Sequence, residues 1–238
     1  MLRFTSNSTN NNQGVLVATI NTSQLQQVPL FSGLSESELD EIIAITTKRS
    51  YPKNNVIINE GDDTDSLYLI ISGKVKVVLS DEDGKEITIS ILEPNEYFGE
   101  LALIDNEPRS ARVVTTEQCQ FCMISQTDFN RVLDNNPSLV RNLLKGLSTR
   151  LREANKNIES LALMDVYGRV AGTLLKFAKP EENGTKVIRE KLTQKEIASM
   201  VGASREMVSR IFKDLTIGGY ITVESGVITI NDKLPTHY

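Results

Sequence analysis

Short apolar runs separated by turn residues occupy the middle of the chain, between about residues 49 and 125. Such runs are typical of β-strands, and Asp81–Gly84 has the composition of a hairpin turn between two of them. The pattern predicts strands at Val56–Ile58, Leu67–Ile71, Lys74–Val78, Glu86–Ile91, Arg112–Thr116 and Gln118–Ile124. Several short strands at close spacing predict a small barrel or a double-sheet jelly roll.

A helical pattern follows from about Pro137 to Met164, with proline at a position suited to a first turn. Its apolar positions are separated alternately by three and four residues: Leu144, Leu147, Leu151, Ala154, Ile158 and Leu161. This heptad seam is the pattern by which helices pair between subunits, so it predicts a homodimer. The alternative is an ordinary amphipathic helix packed on its own barrel, and both descriptions can hold in part.

Two capping boxes mark further helix starts. Ser35 with Glu38 opens a short helix before the first strand, and Thr193 with Glu196 opens a helix from Gln194 to Met200.

The second of these helices continues into a helix-turn-helix pattern. Gly202 provides the turn, Ser204 caps a second helix through about Leu215, and Ile221–Ile230 adds a hairpin wing.

One face of this last helix carries polar side chains suited to DNA. The outward set is Arg205, Glu206, Ser209, Arg210 and Lys213, and the inward set is Met207, Val208, Ile211 and Phe212. Arginine forks match the two major-groove acceptors of guanine, and a carboxylate accepts from the cytosine amino group. We add Thr193, Gln194 and Ser204, at the two helix starts, to the predicted DNA-binding residues.

The charge of the chain, −5 in total, is unevenly distributed. Residues 1–165 carry 15 Lys and Arg against 23 Asp and Glu, whereas residues 166–238 carry 11 against 8. An acidic body with a mildly basic C-terminal part is compatible with DNA contact confined to that end.

The N-terminal stretch Met1–Gly14 is rich in Asn, Ser and Thr, without the apolar segment of a signal peptide or membrane anchor. We expect an N-terminal arm, residues 1–28, that is disordered in part. No run of about 18 apolar residues occurs in the chain, so we expect no membrane partner and a cytoplasmic location.

Metal and redox chemistry are poorly supported by the sequence. The only cysteines are Cys119 and Cys122, and residues three apart in a strand point to opposite faces, so the thiols should not converge. A metal-dependent cupin-type enzyme is the alternative for a jelly roll, but the predicted barrel contains no histidine. We expect no metal site, no catalytic residues and no enzymatic activity.

The segment Tyr97–Ala111 combines features of an anion site and a sugar site. A helix beginning at Gly99 and Glu100 would point unpaired amide groups at a phosphate, and glycine lets the backbone approach closely. Arg109 supplies a guanidinium fork and Ser110 a hydroxyl. Phosphate would repel the Glu100 carboxylate unless that group accepted hydrogen bonds from something else, such as a ribose hydroxyl. The segment therefore predicts a cradle for a cyclic nucleotide.

The run from Phe98 to Leu103, followed by Pro108 to Ala111, resembles the phosphate-binding cassette of the catabolite activator (cAMP receptor protein, CRP/FNR) family. The run from Gly202 to Arg210 resembles the recognition helix of the same family, and the similarity extends from about Leu30 to Ile230. It implies an α+β protein with an N-terminal β jelly-roll cyclic-nucleotide-binding domain (29–136), a long dimerisation helix (137–165) and a C-terminal winged helix-turn-helix domain (166–238).

By this resemblance the protein is a transcription regulator that binds double-stranded DNA as a homodimer, with RNA polymerase as a further partner. The effector is cAMP, held by Gly99, Glu100, Leu101, Ala102, Arg109, Ser110, Ala111, Ala154 and Asn155. The DNA site is a palindrome of the TGTGA type, in which Arg205 and Arg210 reach guanines and Glu206 a cytosine.

The chain departs from the family where the base of the nucleotide would bind. In cAMP-binding members, neighbouring Thr and Ser on the dimer helix contact adenine, and Ala154 and Asn155 stand there in this chain. An asparagine offers a purine edge both a donor and an acceptor. Three alternatives therefore stay open beside cAMP: cGMP, a cyclic dinucleotide such as cyclic di-GMP, or DNA binding without a ligand.

Overall fold

The computed structural model describes residues 20–181, 185–231 and 233–235. Its helices are α1 (Thr22–Gln26), α2 (Glu36–Ala44), α3 (Glu100–Asp105), α4 (Gln126–Asn135), α5 (Pro137–Leu163), α6 (Val166–Phe177), α7 (Gln194–Val201) and α8 (Arg205–Ile217), with a 3₁₀ turn at Pro29–Phe31. Its strands are β1 (Thr47–Tyr51), β2 (Val56–Ile58), β3 (Ser66–Ser72), β4 (Val75–Ser80), β5 (Glu86–Leu92), β6 (Tyr97–Phe98), β7 (Arg112–Thr115), β8 (Cys119–Ser125), β9 (Lys179–Pro180), β10 (Lys186–Ile188), β11 (Ile221–Glu224) and β12 (Val227–Ile230).

Two four-stranded antiparallel sheets form the N-terminal barrel, in the orders β1-β8-β3-β6 and β2-β7-β4-β5. Apolar side chains of both sheets meet between them, among them Ile70 of β3, Val75 of β4 and Phe121 of β8. The predicted jelly roll within an α+β protein is confirmed.

The first sheet is buried on both faces. Its outer face carries Leu69 and Cys122, which pack with α2, α4 and α5, whereas Ile70 and Cys119 point into the barrel. This double burial explains why β3 is an almost continuous apolar run. The two cysteines are free and lie on opposite faces, and burial raises the pKa of both thiols.

Residues 1–19 of the predicted N-terminal arm (1–28) lie outside the described residues. The remainder is folded: Asn21 caps α1, and Ile20, Leu25 and Val28 are buried in the apolar layer under α5. The folded domain therefore begins before the expected boundary at residue 29, because the barrel's outer sheet face needs these apolar side chains to exclude water.

The long helix α5 ends one residue earlier than predicted, at Leu163. Met164 leaves the helix, and the Asp165 side chain accepts a hydrogen bond from the Gly168 amide at 2.7 Å, capping α6. No helix of the described ranges is long and apolar enough to cross a membrane.

The C-terminal part packs α6, α7 and α8 against a small antiparallel sheet in the order β11-β12-β10-β9. The sequence reading missed β9 and β10, although Val187 and Ile188 of β10 are buried. It also assigned Met207 to the inward face of α8, which is wrong: Met207 is 41% exposed, because the buried stripe of α8 runs through Val208, Ile211, Phe212 and Leu215.

The barrel and the C-terminal part touch along β5 and α7. The hydroxyls of Thr88 and Ser199 lie 2.9 Å apart, and Lys74 reaches Glu190 at 2.5 Å. Although partial burial acts to lower it, hydrogen bonds to Glu190 and Glu93 raise the pKa of Lys74.

Candidate nucleotide and DNA sites

The turn between β6 and α3 is shaped by Gly99. This residue has φ +87°, in the left-handed region that favours glycine, and it is the N-cap of α3. A Cβ at this position would lie 2.6 Å from Nη1 of Arg109 and 2.9 Å from the Ser66 carbonyl oxygen. Glycine is therefore required both by the backbone conformation and by the close approach of the arginine.

Arg109 is buried, with 3% of its surface exposed, and each guanidinium nitrogen donates a hydrogen bond to the barrel. Nε donates to Thr64 Oγ1 at 2.7 Å, Nη1 to the Gly99 carbonyl at 2.6 Å and Nη2 to the Ser66 carbonyl at 2.7 Å. Burial lowers the pKa of Arg109, against the opposing effects of Tyr68 and the nearby carboxylates. The guanidinium is thus fixed behind the turn that begins α3.

Glu100 is equally buried, at 2% exposure, and its partner comes from the long helix. Nη1 of Arg150, on α5, donates to Glu100 Oε1 at 2.5 Å. Nη2 of Arg150 donates to the Tyr97 carbonyl, and the guanidinium lies over the Tyr97 ring at 4.7 Å from its centroid. The carboxylate predicted to meet a ribose therefore also ties the barrel to α5.

The structure brings together Gly99, Glu100 and Arg109 of the predicted cradle. Ala102 is buried behind them, Leu101 is 44% exposed, and Ser110 is exposed at the surface next to Arg109. Ala111 is half-buried. The cradle therefore combines the exposed side chains of Leu101 and Ser110 with the buried charges of Glu100 and Arg109.

Ala154 and Asn155 are both exposed on α5. Ala154 lies four residues after Arg150, one turn along the face that approaches the barrel. Asn155 is rotated from Ala154 by about 100° around the helix axis, to the far side of the apolar seam. Ala154 is therefore on the side of α5 that faces its own cradle, whereas Asn155 is on the side that faces away from it.

The seam itself is exposed on the isolated chain. Leu144, Leu151, Ile158 and Leu161 are 59%, 63%, 63% and 44% exposed, whereas Leu147 is partly buried against the barrel's helical layer. A row of exposed leucines and isoleucine on one helix is unusual for a surface that faces only water.

Sequence reasoning did not predict that Arg150 contacts the cradle, and it gave Tyr97 no role of its own within the segment Tyr97–Ala111. A weak signal for Arg150 was present, because it is next to the seam residue Leu151 in the sequence. Thr64, which accepts from Arg109, had no signal, because its partner is 45 residues away in sequence.

The predicted DNA-binding residues lie on α7 and α8. The five outward residues of α8, Arg205, Glu206, Ser209, Arg210 and Lys213, are all exposed. Gln194 is half-buried at the start of α7.

The hydroxyls of the remaining two residues act as helix caps. Thr193 Oγ1 accepts from the Glu196 amide at 3.2 Å, and Ser204 Oγ accepts from the Met207 amide at 3.2 Å. These caps fix the starts of the helices that carry the exposed polar face.

Among the described residues, no group of three or more His, Cys, Asp or Glu side chains is placed to hold a metal ion.

Two family models match the chain. The cyclic nucleotide-binding domain matches residues 48–136, and the Crp-like helix-turn-helix domain matches residues 168–233. Together with the cradle and the exposed face of α8, they define a DNA-binding transcription regulator with a cyclic-nucleotide-binding domain.

Relatives that match over nearly their whole length identify the family of transcription regulators to which the chain is similar. The chain is 33% identical over 211 residues to a CRP-like cAMP-activated global transcriptional regulator of Mycobacterium tuberculosis, covering 87% of this chain and 94% of the relative. It is 33% identical over 204 residues to the cyclic AMP receptor protein of Thermus thermophilus, covering 86% and 93%. The chain belongs to the CRP/FNR family of transcription regulators.

Two solved structures are similar to the fold. The catabolite activator protein of Thermus thermophilus aligns with a TM-score of 0.52 at 32% identity, covering 85% of this chain and 93% of that one. The c-di-GMP responsive global regulator CLP of Xanthomonas campestris aligns with a TM-score of 0.73 at 24% identity, covering 83% and 100%.

Proposed function

We propose that the protein is a homodimeric, cAMP-responsive regulator that binds a palindromic TGTGA-type DNA site in the cytoplasm and acts with RNA polymerase. The observation that carries the proposal is the charge-assisted hydrogen bond that Arg150 of α5 donates to Glu100 of the cradle. It links the nucleotide-binding segment directly to the helix that bears the apolar seam. A ligand that binds one arrangement of these elements better than another would shift the dimer toward that arrangement.

The exposed seam supports the homodimer. Pairing Leu144, Leu151 and Ile158 with their copies would remove their exposed surface from water. Two copies of α8 about 34 Å apart would then read two half-sites one duplex turn apart, hence a palindrome.

The cradle supports a cyclic nucleotide, and relatives named for cAMP make cAMP our first choice. We assign phosphate and ribose binding to Gly99, Glu100, Leu101, Ala102, Arg109, Ser110 and Ala111, and base binding to Ala154 and Asn155. Because Asn155 lies across the seam from its own barrel, its amide would reach the nucleotide held by the second subunit.

The exposed face of α8 supports sequence-specific DNA binding. We assign guanine contacts to Arg205 and Arg210 and a cytosine contact to Glu206, since these pairings match the hydrogen-bonding groups of the major groove. Ser209, Lys213, Thr193, Gln194 and Ser204 complete the proposed DNA-binding set.

A second candidate effector is cyclic di-GMP or cGMP. It is favoured by Ala154 and Asn155, which lack a threonine hydroxyl for adenine but include an amide able to serve guanine. The Xanthomonas regulator of the same fold is described as c-di-GMP responsive, which makes a cyclic dinucleotide worth testing.

The test is calorimetric titration of nucleotide-stripped protein with cAMP, cGMP and cyclic di-GMP, followed by binding to a TGTGA palindrome with and without the best ligand. Micromolar binding of cAMP that tightens DNA binding supports the proposal. Preference for a guanine nucleotide supports the second candidate, and tight DNA binding with no ligand supports a ligand-independent regulator.

Arg109→Leu provides the site-specific control. It should abolish the nucleotide effect, whereas Arg131→Leu, at an exposed arginine on α4, should leave that effect intact. Unchanged nucleotide dependence in Arg109→Leu would contradict the assignment of the cradle.

A further inference from the structure

Gly146 stands in the interior of α5, where glycine is less favourable than alanine. The neighbour that explains it is Tyr97 of the barrel. A Cβ at Gly146 would overlap the Tyr97 hydroxyl oxygen, while the next nearest atom, Tyr97 Cζ, would lie at 3.5 Å, an ordinary van der Waals distance. Only the hydroxyl oxygen of Tyr97 therefore excludes a side chain at this point of the helix.

The Tyr97 hydroxyl is itself unfavourable for stability. Tyr97 is 5% exposed, and within the described part of the chain its hydroxyl has no hydrogen-bond partner. A buried hydroxyl without a partner is destabilising, so phenylalanine would suit this position better if packing alone mattered. Two residues that are each locally unfavourable thus fit one another in shape.

This contact lies next to the bonds that join the cradle to α5. Gly146 and Arg150 are four residues apart, on one face of the helix. The Arg150 guanidinium lies over the Tyr97 ring and donates hydrogen bonds to the Tyr97 carbonyl and to the Glu100 carboxylate. A displacement of α5 along Tyr97 would therefore move Arg150 relative to Glu100.

We propose that Tyr97 and Gly146 are positioning residues: the hydroxyl of Tyr97, seated against the Gly146 backbone, sets the register of α5 over the cradle and so lets nucleotide binding reach the dimer helix. This role rests on the proposed function, because it concerns transmission of nucleotide binding. It assigns no nucleotide contact to either residue.

The test uses Gly146→Ala, Tyr97→Phe and the double variant, with Gly172→Ala as a matched control. Gly172 is an exposed glycine inside α6 where a Cβ would meet nothing within 4 Å. The readouts are nucleotide affinity, the ratio of DNA affinities with and without nucleotide, and amide hydrogen exchange of residues 146–150 without nucleotide.

Gly146→Ala should reduce the nucleotide-dependent stimulation of DNA binding by about 10-fold and speed hydrogen exchange at residues 146–150. Tyr97→Phe should leave the thermal midpoint unchanged or raised, yet reduce stimulation by about 5-fold. The double variant should restore stimulation and exchange to within about 3-fold of wild type, because alanine fills the space that the hydroxyl leaves. Gly172→Ala should match wild type in stimulation and in exchange at residues 146–150.

If Tyr97 has only a structural role, Tyr97→Phe should show no loss of stimulation and the double variant should show no rescue. Either result would overturn the proposal. If wild type responds to nucleotide and Gly146→Ala behaves like Gly172→Ala, the positioning role is refuted while the proposed function stands. If wild type binds no cyclic nucleotide, the proposed function fails and transmission fails with it, while the exchange data still report whether Tyr97 and Gly146 fix α5.

Discussion

The cradle and the outer face of α8 both carry charged side chains, but they hold them in opposite ways. Glu100 and Arg109 are 2% and 3% exposed, and protein groups satisfy both. Arg205 and Arg210 are exposed on α8. The cradle therefore fixes its charge geometry during folding, whereas the charged side chains on the outer face of α8 stay hydrated in the isolated chain. Changes in the cradle should alter stability and ligand binding together, and changes on α8 should alter DNA binding alone.

The largest effect is expected from Arg109→Leu, which removes three hydrogen bonds inside the barrel. Leaving the Gly99 and Ser66 carbonyls without a donor should lower the free energy of unfolding by about 3 kcal/mol. Denaturant unfolding monitored by circular dichroism measures this loss, with Arg131→Leu as the exposed control. Wild-type stability in Arg109→Leu would show that the buried hydrogen bonds of the cradle do not stabilise the barrel.

The next effect is expected from Glu100→Gln, which keeps the shape of the side chain but removes the charge opposite Arg150. Stability should fall by about 1–2 kcal/mol, because the glutamine oxygen can still accept from Arg150 but the bond no longer joins two opposite charges, and Arg150 is one-third exposed. A double-mutant cycle with Arg150→Gln should give a coupling energy of about 1 kcal/mol. Additive effects would mean that the ion pair does not join the barrel to α5 energetically.

Arg210→Ala tests the other region. Affinity for the palindrome should fall by about 1–3 kcal/mol if the guanidinium reads a guanine. The free energy of unfolding should change by less than about 0.5 kcal/mol, because the side chain is exposed. Fluorescence anisotropy with matched and scrambled half-sites separates the two outcomes: an equal loss on both DNAs would argue against base reading.

The smallest effect is expected from Lys213→Ala, further along the same exposed face. If Lys213 contacts a phosphate, the variant should bind all DNA sequences more weakly to the same extent. The magnitude of the slope of the logarithm of the DNA-binding constant against the logarithm of salt concentration should fall by about one. DNA affinity measured across a series of salt concentrations tests this, and a loss specific to the palindrome would reassign Lys213 to base contact.

The local features of the fold were predictable because they depend on near neighbours in sequence. The capping boxes at Ser35 and Thr193 form with the predicted partners, Glu38 and Glu196, since a cap and its third residue are always close. The strand period likewise placed Cys119 and Cys122 on opposite faces. Met207 was misplaced because a stripe on a helix can be rotated by one position without breaking its period.

Contacts between distant segments were not predictable in this way. Most helices and strands, the turn at Gly99 and the central residues of the two candidate sites could be predicted from the sequence, because each depends on a short run of residues. Tertiary packing alone brings Arg150 to Glu100, places Tyr97 against Gly146, and buries Ile20, Leu25 and Val28 in the apolar layer between the barrel and α5. Those pairings depend on how α5 crosses the barrel, and the packing of distant side chains sets that geometry rather than any local pattern.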